Sequence, residues 1–340
     1  MNNTTNATDA GHGLKTQNIF LLDVILGVIC FVFISVGVPG NLVVIRHFSR
    51  QRKDLPTVLY LLISSNDLVI TSTVLPSALS FVDHRNPHLF GVKVFCQGWG
   101  LVWTILPFIS VFLVSVLSIT RTIMLTRPLV VISRRVVLGM VGLYYVYIVF
   151  RVLVPWLLGE IHFIYSRADV YCWDGGTHSG SRWYFYYDIA TGALQLAAPI
   201  VPIFLSCLIS TVTLLRSQRR DKAFGFSGTA RRPKLFATVT IILVTVVYIL
   251  FNIPIFGAWC KYLADELTVD PADQFAFWYL WGVTYVLCTA GNAAVNPLLL
   301  YWRNRNFRNS VRISEVSQGQ TAAREGGVLL PCRNPRTSTV

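Results

Sequence analysis

Residues 58–82 read VLYLLISSNDLVITSTVLPSALSFV, a run of apolar and small hydroxylated side chains broken by one ionisable group, Asp67. A bilayer core is about 30 Å thick, so a helix crossing it needs roughly 20 residues of this kind. Outward from this run, six more stretches meet the same requirement: 24–45, 94–120, 136–158, 189–215, 235–260 and 274–302. Membrane strands are shorter and alternate in polarity. The spacing therefore predicts an all-α integral membrane protein, a seven-transmembrane helix bundle. Only 13% of the 340 residues are charged. Soluble domains run nearer a quarter, so lipid is the expected solvent for much of the surface.

Charge decides the orientation. The inner-side candidates 46–56, 121–135, 216–234 and the tail from Arg303 together hold 22 of the 29 Lys and Arg residues. The basic side is expected to be cytoplasmic. The N-terminus then lies outside and the C-terminus inside, as expected of a multi-pass protein of the plasma membrane. The net charge of +13 resides in these short clusters between apolar runs. It does not form the continuous basic face that nucleic-acid binding requires.

Four segments follow. Residues 1–19 are polar, carry no apolar signal-peptide core, and contain glycosylation sequons at Asn2, Asn3 and Asn6, as expected of an extracellular terminus. Residues 20–302 hold the spans. Residues 303–313 place Phe307 and Val311 among cations, the pattern of a short amphipathic helix on the anionic inner surface. Residues 314–340 read as a disordered tail. Its end, Ser338-Thr339-Val340, has the form of a PDZ-domain ligand, with Val340 filling a pocket. The seven Cys are scattered without metal-type spacing.

Asn41, Ser110, Asn292 and Asn296 lie at the same depth as Asp67 in other spans. Together they form a candidate polar cluster. A carboxylate with neutral oxygen donors suits a small hard cation such as Na+. A protonated, hydrogen-bonded Asp67 without an ion is the other reading, and both stay open. No other cofactor is implied. Arg121 ends the third span on the basic side, where snorkelling is the ordinary role for Arg. Arg151 lies inside the fourth span. Glu160, a loop carboxylate or a ligand acid are candidate partners, and outward snorkelling is the alternative.

These residues resemble the rhodopsin-like G-protein-coupled receptors from residue 20 to residue 310. Gly40-Asn41-Leu-Val-Val is similar to the first-helix motif of that family, and Asp67 falls at its second-helix Asp. Cys96 and Arg121 have the family's spacing, and Pro128-Leu129 follow as in its second inner loop. Cys172, Pro254, Asn296-Pro297 and Phe307 match in order. The resemblance implies a Cys96–Cys172 bridge over an outer pocket. It implies an inner face at Arg121, Pro128, Leu129 and Lys234 that meets a heterotrimeric G protein, with arrestin as a further partner. It also implies a ligand pocket lined by Trp103, Leu106, Arg151, Gln195, Asn252, Phe256, Tyr285 and Val286.

The chain departs from the family pattern in several places. Thr120-Arg121-Thr122 stands for the usual Asp/Glu-Arg-Tyr, and Lys234 occupies a position that is often acidic. Both resting partners of Arg121 are thus missing, which implies raised basal activity. Asn252 replaces the sixth-helix Trp, with Tyr248 and Phe256 as candidates for its role. The seventh helix runs one residue longer between Asn296 and Tyr301 than the usual motif. Trp103 stands where amine receptors carry an Asp, so a peptide or a neutral, apolar small molecule is the expected ligand. The seventh span has no Lys for a retinal Schiff base, which leaves a non-retinal relative of the opsins as one alternative. A transporter is the other, although no internal repeat supports it. No nucleophile–base set or metal spacing points to an enzyme.

Overall fold

The computed structural model describes residues 6–82, 93–127, 129–159, 163–165, 172–174, 182–223, 232–265 and 274–303. Seven helices run in chain order: α1 (Asn6–Ser49), α2 (Leu55–Val82), α3 (Lys93–Thr126), α4 (Arg134–Leu157), α5 (Arg182–Ala223), α6 (Arg232–Asp265) and α7 (Gln274–Arg303). Every span read from the sequence coincides with one of them, the fourth overrunning the end of α4 by one residue, Leu158. Most of the helices extend past the span, because a helix continues beyond the hydrocarbon wherever its backbone bonds are still satisfied. α1 begins at Asn6, well inside the segment read as a polar terminus. α3 continues past Arg121 to Thr126.

Among the described residues, six helices are long and apolar enough to cross a membrane, and α6 contributes the shorter apolar stretch Thr245–Gly257. Leu143 and Leu250 are 72% and 62% exposed. Helices apolar on their outward faces are stable only where lipid is the solvent. The all-helical expectation needs one addition: β1 (Phe163–Tyr165) and β2 (Cys172–Asp174) pair antiparallel in the connection between α4 and α5. Two three-residue strands carry too little periodicity to be read from sequence.

α3 is the hub, packing against α2, α4, α5 and both strands. α1 packs on α2 and α7, and α6 on α5 and α7. One core cluster joins α1, α2, α3 and α7 around Trp99, Trp103 and Val286. A second joins α2 to α6 through α3, around Leu59, Leu113, Ile203 and Tyr248. Every helix contains Pro. Hydroxyl side chains bonding the carbonyl one turn back are frequent, as in Thr71 to Asp67 and Thr104 to Gly100. Such bonds help satisfy backbone groups that neither water nor a regular helix reaches.

Close approach of α1 depends on two glycines. A Cβ at Gly37 would collide with the Thr71 side chain of α2, and one at Gly40 would stand 2.8 Å from Pro297 Cβ of α7. Small residues let membrane helices pack backbone to backbone. Gly37→Val is expected to destabilise the detergent-purified protein by about 1–3 kcal/mol, the usual cost of overpacking. Gly142→Val, at a position with open space around it, is expected to leave thermal unfolding nearly unchanged. Equal midpoints for the two variants would contradict the packing argument.

Candidate functional site

The polar cluster read from the sequence is assembled by four helices. Asp67 of α2 is fully buried. Its Oδ1 accepts a hydrogen bond from Ser110 Oγ of α3 at 2.9 Å, and its Oδ2 accepts one from Asn296 Nδ2 of α7 at 2.8 Å. Asn41 of α1 joins from the side, donating to the carbonyls of Gly37 at 2.9 Å and Ala293 at 3.2 Å. Asn292 is buried one turn before Asn296. The side-chain oxygens of Asn292 and Asn41 are buried without a hydrogen-bond partner.

Above this core is a cavity of about 30 Å3 (space for water centres), lined by Ile70, Phe108, Ser110, Asn252, Tyr285 and Asn292 among others. One water needs about 10–15 Å3 by this measure. The cavity therefore admits water next to Ser110, and a drug-sized ligand would require the helices to part.

The expected pocket residues divide into two groups. Trp103 is buried, stacked on Trp99 with ring centroids 5.1 Å apart, and its carbonyl accepts the Tyr285 hydroxyl at 2.8 Å. Val286 and Leu106 pack in the same cluster, and Asn252 reaches the cavity beside Tyr285. Arg151 and Gln195 lie instead toward α5. Arg151 Nε donates to Thr191 Oγ1 at 3.1 Å, with its guanidinium 5.8 Å from the Phe108 ring centroid. Arg151 thus turns along the α4–α5 seam. Glu160 lies outside the described residues. Gln195, one turn inward from Thr191, is 1% exposed and neither amide atom has a hydrogen-bond partner. Phe256 is exposed and does not line the cavity.

At the inner end, Arg121 is half-buried and its Nε is buried without a hydrogen-bond partner. Thr120, in place of the acid, is buried. Thr122 bonds across to α5, 3.2 Å from Ser206 O and 2.9 Å from Ser210 Oγ. Sequence reading missed this clasp, as it missed Phe108, Thr191 and Asp23, which is 1% exposed on α1. The charge of Asp23 at a span edge was the one available signal. Leu129 is 94% exposed. Pro128 and the side chain of Lys234 lie outside what is described, as do Asn2, Asn3, the side chain of Asn6, Ser338, Val340 and the amphipathic segment 304–313. Cys96 is buried and disulfide-bonded. β2, which Cys172 opens, packs against α3, but the Cys172 side chain is also outside the described set.

The sequence model of the family described as "7 transmembrane receptor (rhodopsin family)" matches residues 40–300. An alpha-1A adrenergic receptor of Oryzias latipes is 33% identical over 129 residues, covering 37% of this chain and 27% of that receptor. The receptor of the same name from Cavia porcellus is 35% identical over 108 residues, covering 31% and 23%. The chain thus aligns with about a quarter of the length of these curated relatives. The crystal structure of squid rhodopsin superposes with a TM-score of 0.65 at 15% identity, covering 92% of this chain and 93% of that one, which is a likeness of fold. With apolar helices in the same order and a family match over most of its length, this multi-pass membrane protein belongs to the rhodopsin family of seven-transmembrane, G-protein-coupled receptors, which are receptors and not enzymes.

Proposed function

We propose that this receptor accepts an extracellular peptide or neutral, apolar small molecule among α3, α6 and α7, and activates a heterotrimeric G protein at the inner ends of α3 and α6. The observation that carries this reading is the polar continuity below the cavity. Tyr285 and Asn252 share a lining with Ser110, and Ser110 is bonded to Asp67. A ligand that moves Tyr285 or Asn252 therefore acts on the residues that join α2, α3 and α7. To signal, it must bind the active arrangement better than the resting one.

The neutral ligand is supported by Trp103. Its indole is buried against Trp99 at the position where amine receptors have a carboxylate, so the amine implied by the relatives' name has no counter-ion there. On the inner side, Arg121 and the exposed Leu129 offer the coupling surface, with Pro128 next to Leu129 in sequence and Lys234 at the start of α6. Arrestin would use the same face, and Ser338 and Val340 would engage a PDZ-domain protein. The Lys and Arg of the inner loops support a cytosolic position for that face and an N-terminus outside the plasma membrane. There Asn2, Asn3 and Asn6 would carry glycans, and Cys172 would complete the Cys96 disulfide.

Asp67, Ser110 and Asn292, with Asn296 beside them, fit an allosteric Na+. The cluster has one carboxylate, neutral oxygens, a buried Asn292 oxygen without a partner, and a cavity that admits water. Such an ion would supply a positive charge opposite Asp67 and favour the arrangement that binds it.

Membranes holding the receptor are expected to accelerate guanine-nucleotide exchange on a matching G protein. A surface-expressed Arg121→Ala variant is expected to lose most of that rate, and equal exchange by the two would overturn the coupling role. Basal exchange is expected to fall about fivefold or more in Thr120→Asp, within the usual range of coupling energies; unchanged basal signalling would remove the argument from the missing acid. Replacing N-methylglucamine with sodium at constant ionic strength is expected to raise the melting temperature of the wild type but not of Asp67→Asn. A sodium-insensitive wild type would favour the protonated reading.

A further inference from the structure

Three phenol hydroxyls are buried in one apolar core of the bundle. Tyr248 of α6 is 1% exposed, and Tyr144 and Tyr147 of α4 are half-buried with their hydroxyl oxygens inside. Among the described residues none of the three hydroxyls has a hydrogen-bond partner. All three side chains pack in the cluster around Leu113, Ile148 and Ile203. The Tyr144 and Tyr147 rings stand 6.0 Å apart. Tyr144 is also close enough to Tyr248 to interact with it electrostatically, although the two are not bonded.

Each of these hydroxyls has left water without gaining a partner, a cost that Phe in the same space would not carry. Such a group in a native core calls for a physical reason. Water is the ordinary one, but it needs a polar and roomy site. The cavity beside Asn252 is lined by other residues, and the three Tyr pack among Ile, Leu and Phe side chains that offer water no bond. The remaining reason is a second arrangement of the helices, in which the hydroxyls meet.

The two sides differ in how firmly they are held. Tyr144 lies flat on Phe112 of α3, with ring centroids 3.8 Å apart and planes 7° from parallel. Val137, Val141, Ile148 and Val152 are buried along α4, which leans on α3. By contrast, α6 packs on α5 and α7 and only lightly on α3. Its ladder is broken at Pro254, which has no N–H to give to the Leu250 carbonyl. Asn252 Nδ2 donates to the Tyr248 carbonyl at 2.8 Å across the same stretch. Tyr248 thus stands beside a softened turn, on the face where Thr245, Asn252 and Ile255 are also buried. A small rotation there moves its hydroxyl while Tyr144 stays on Phe112.

We propose that Tyr144 and Tyr248 position α6 for signalling: their hydroxyls bond to each other in the signalling arrangement and are both unpaired in the resting one. Tyr147, one turn from Tyr144 on α4, can then bond Tyr144 in turn. The pairing favours the signalling arrangement by one neutral hydrogen bond, separately from the missing acid at Thr120. A ligand reaches the pair through Asn252, which both lines the cavity and holds the Tyr248 carbonyl. This rests on the receptor reading above and names the residues that set the balance between its two arrangements.

The test uses the purified full-length receptor without ligand, as wild type, Tyr144→Phe, Tyr248→Phe and the double variant. Each substitution removes one unpaired hydroxyl from the resting fold. Each should therefore raise the melting temperature, by about 2–4 °C, and the two shifts should add. Basal guanine-nucleotide exchange should fall about fivefold in either single variant and no further in the double, because the same bond is lost in all three. Hydrogen–deuterium exchange at the inner end of α6, measured without G protein, should show the same equal and non-additive loss of opening. The proposal is overturned if the melting temperatures fall, which would mean that the hydroxyls are already paired at rest. It is also overturned if the α6 amides are unaffected in the single variants, or if the two single effects on them add. Altered α6 amides with no nucleotide exchange in any form would uphold the pair and count against the coupling reading alone.

Discussion

A fully buried carboxyl group must find hydrogen-bond donors or it will not remain in the bundle, and Asp67 finds them on two other helices. Ser110 of α3 and Asn296 of α7 donate to separate oxygens of the same group. Neither helix could rotate by a residue without leaving a polar atom in an apolar interior, where an unpaired group costs about 1–3 kcal/mol. Lipid supplies no competing donors, so this pair of bonds sets the register of α2, α3 and α7 together. The approach of α1 follows from it: Gly37 and Gly40 allow contact with α2 and α7, and Asn41 then reaches the Ala293 carbonyl.

The packing around that centre is uneven, and the unevenness matters for signalling. The side of the bundle formed by α1, α2, α3 and α7 is dense and aromatic at Trp99 and Trp103. Buried polar atoms without hydrogen-bond partners occur on that side, in Asn41, Trp103 and Asn292, and toward α5 and α6, in Gln195, Thr245 and Tyr248. Such atoms lower the cost of rearrangement, because a new arrangement that pairs them gains what the old one lacked. The neutral Thr122 contacts with Ser206 and Ser210 tie α3 to α5. Neutral hydrogen bonds are about half as strong as charge-assisted ones, in line with the raised basal exchange proposed for this receptor.

Seven helices and their order were legible from residues 24–302 because membrane burial imposes length and polarity on each helix separately. Asp67, Ser110, Asn292 and Asn296 were also legible, since polar residues at a common depth in apolar runs must meet something. What could not be read was which atoms meet. That Arg151 turns to Thr191 instead of snorkelling outward depends on how α4 and α5 both lean on α3. That Asn252 lines the cavity while Phe256, one turn farther along α6, is exposed is likewise a matter of tertiary packing.

The sequence by itself therefore determined the helices and their count, because those follow from the solvent each residue type tolerates. The tertiary structure alone decided the partners of Asp67, the clasp at Thr122 and the stacking of Tyr144 on Phe112. Each joins residues on different elements, and local preference carries no information about which faces will touch.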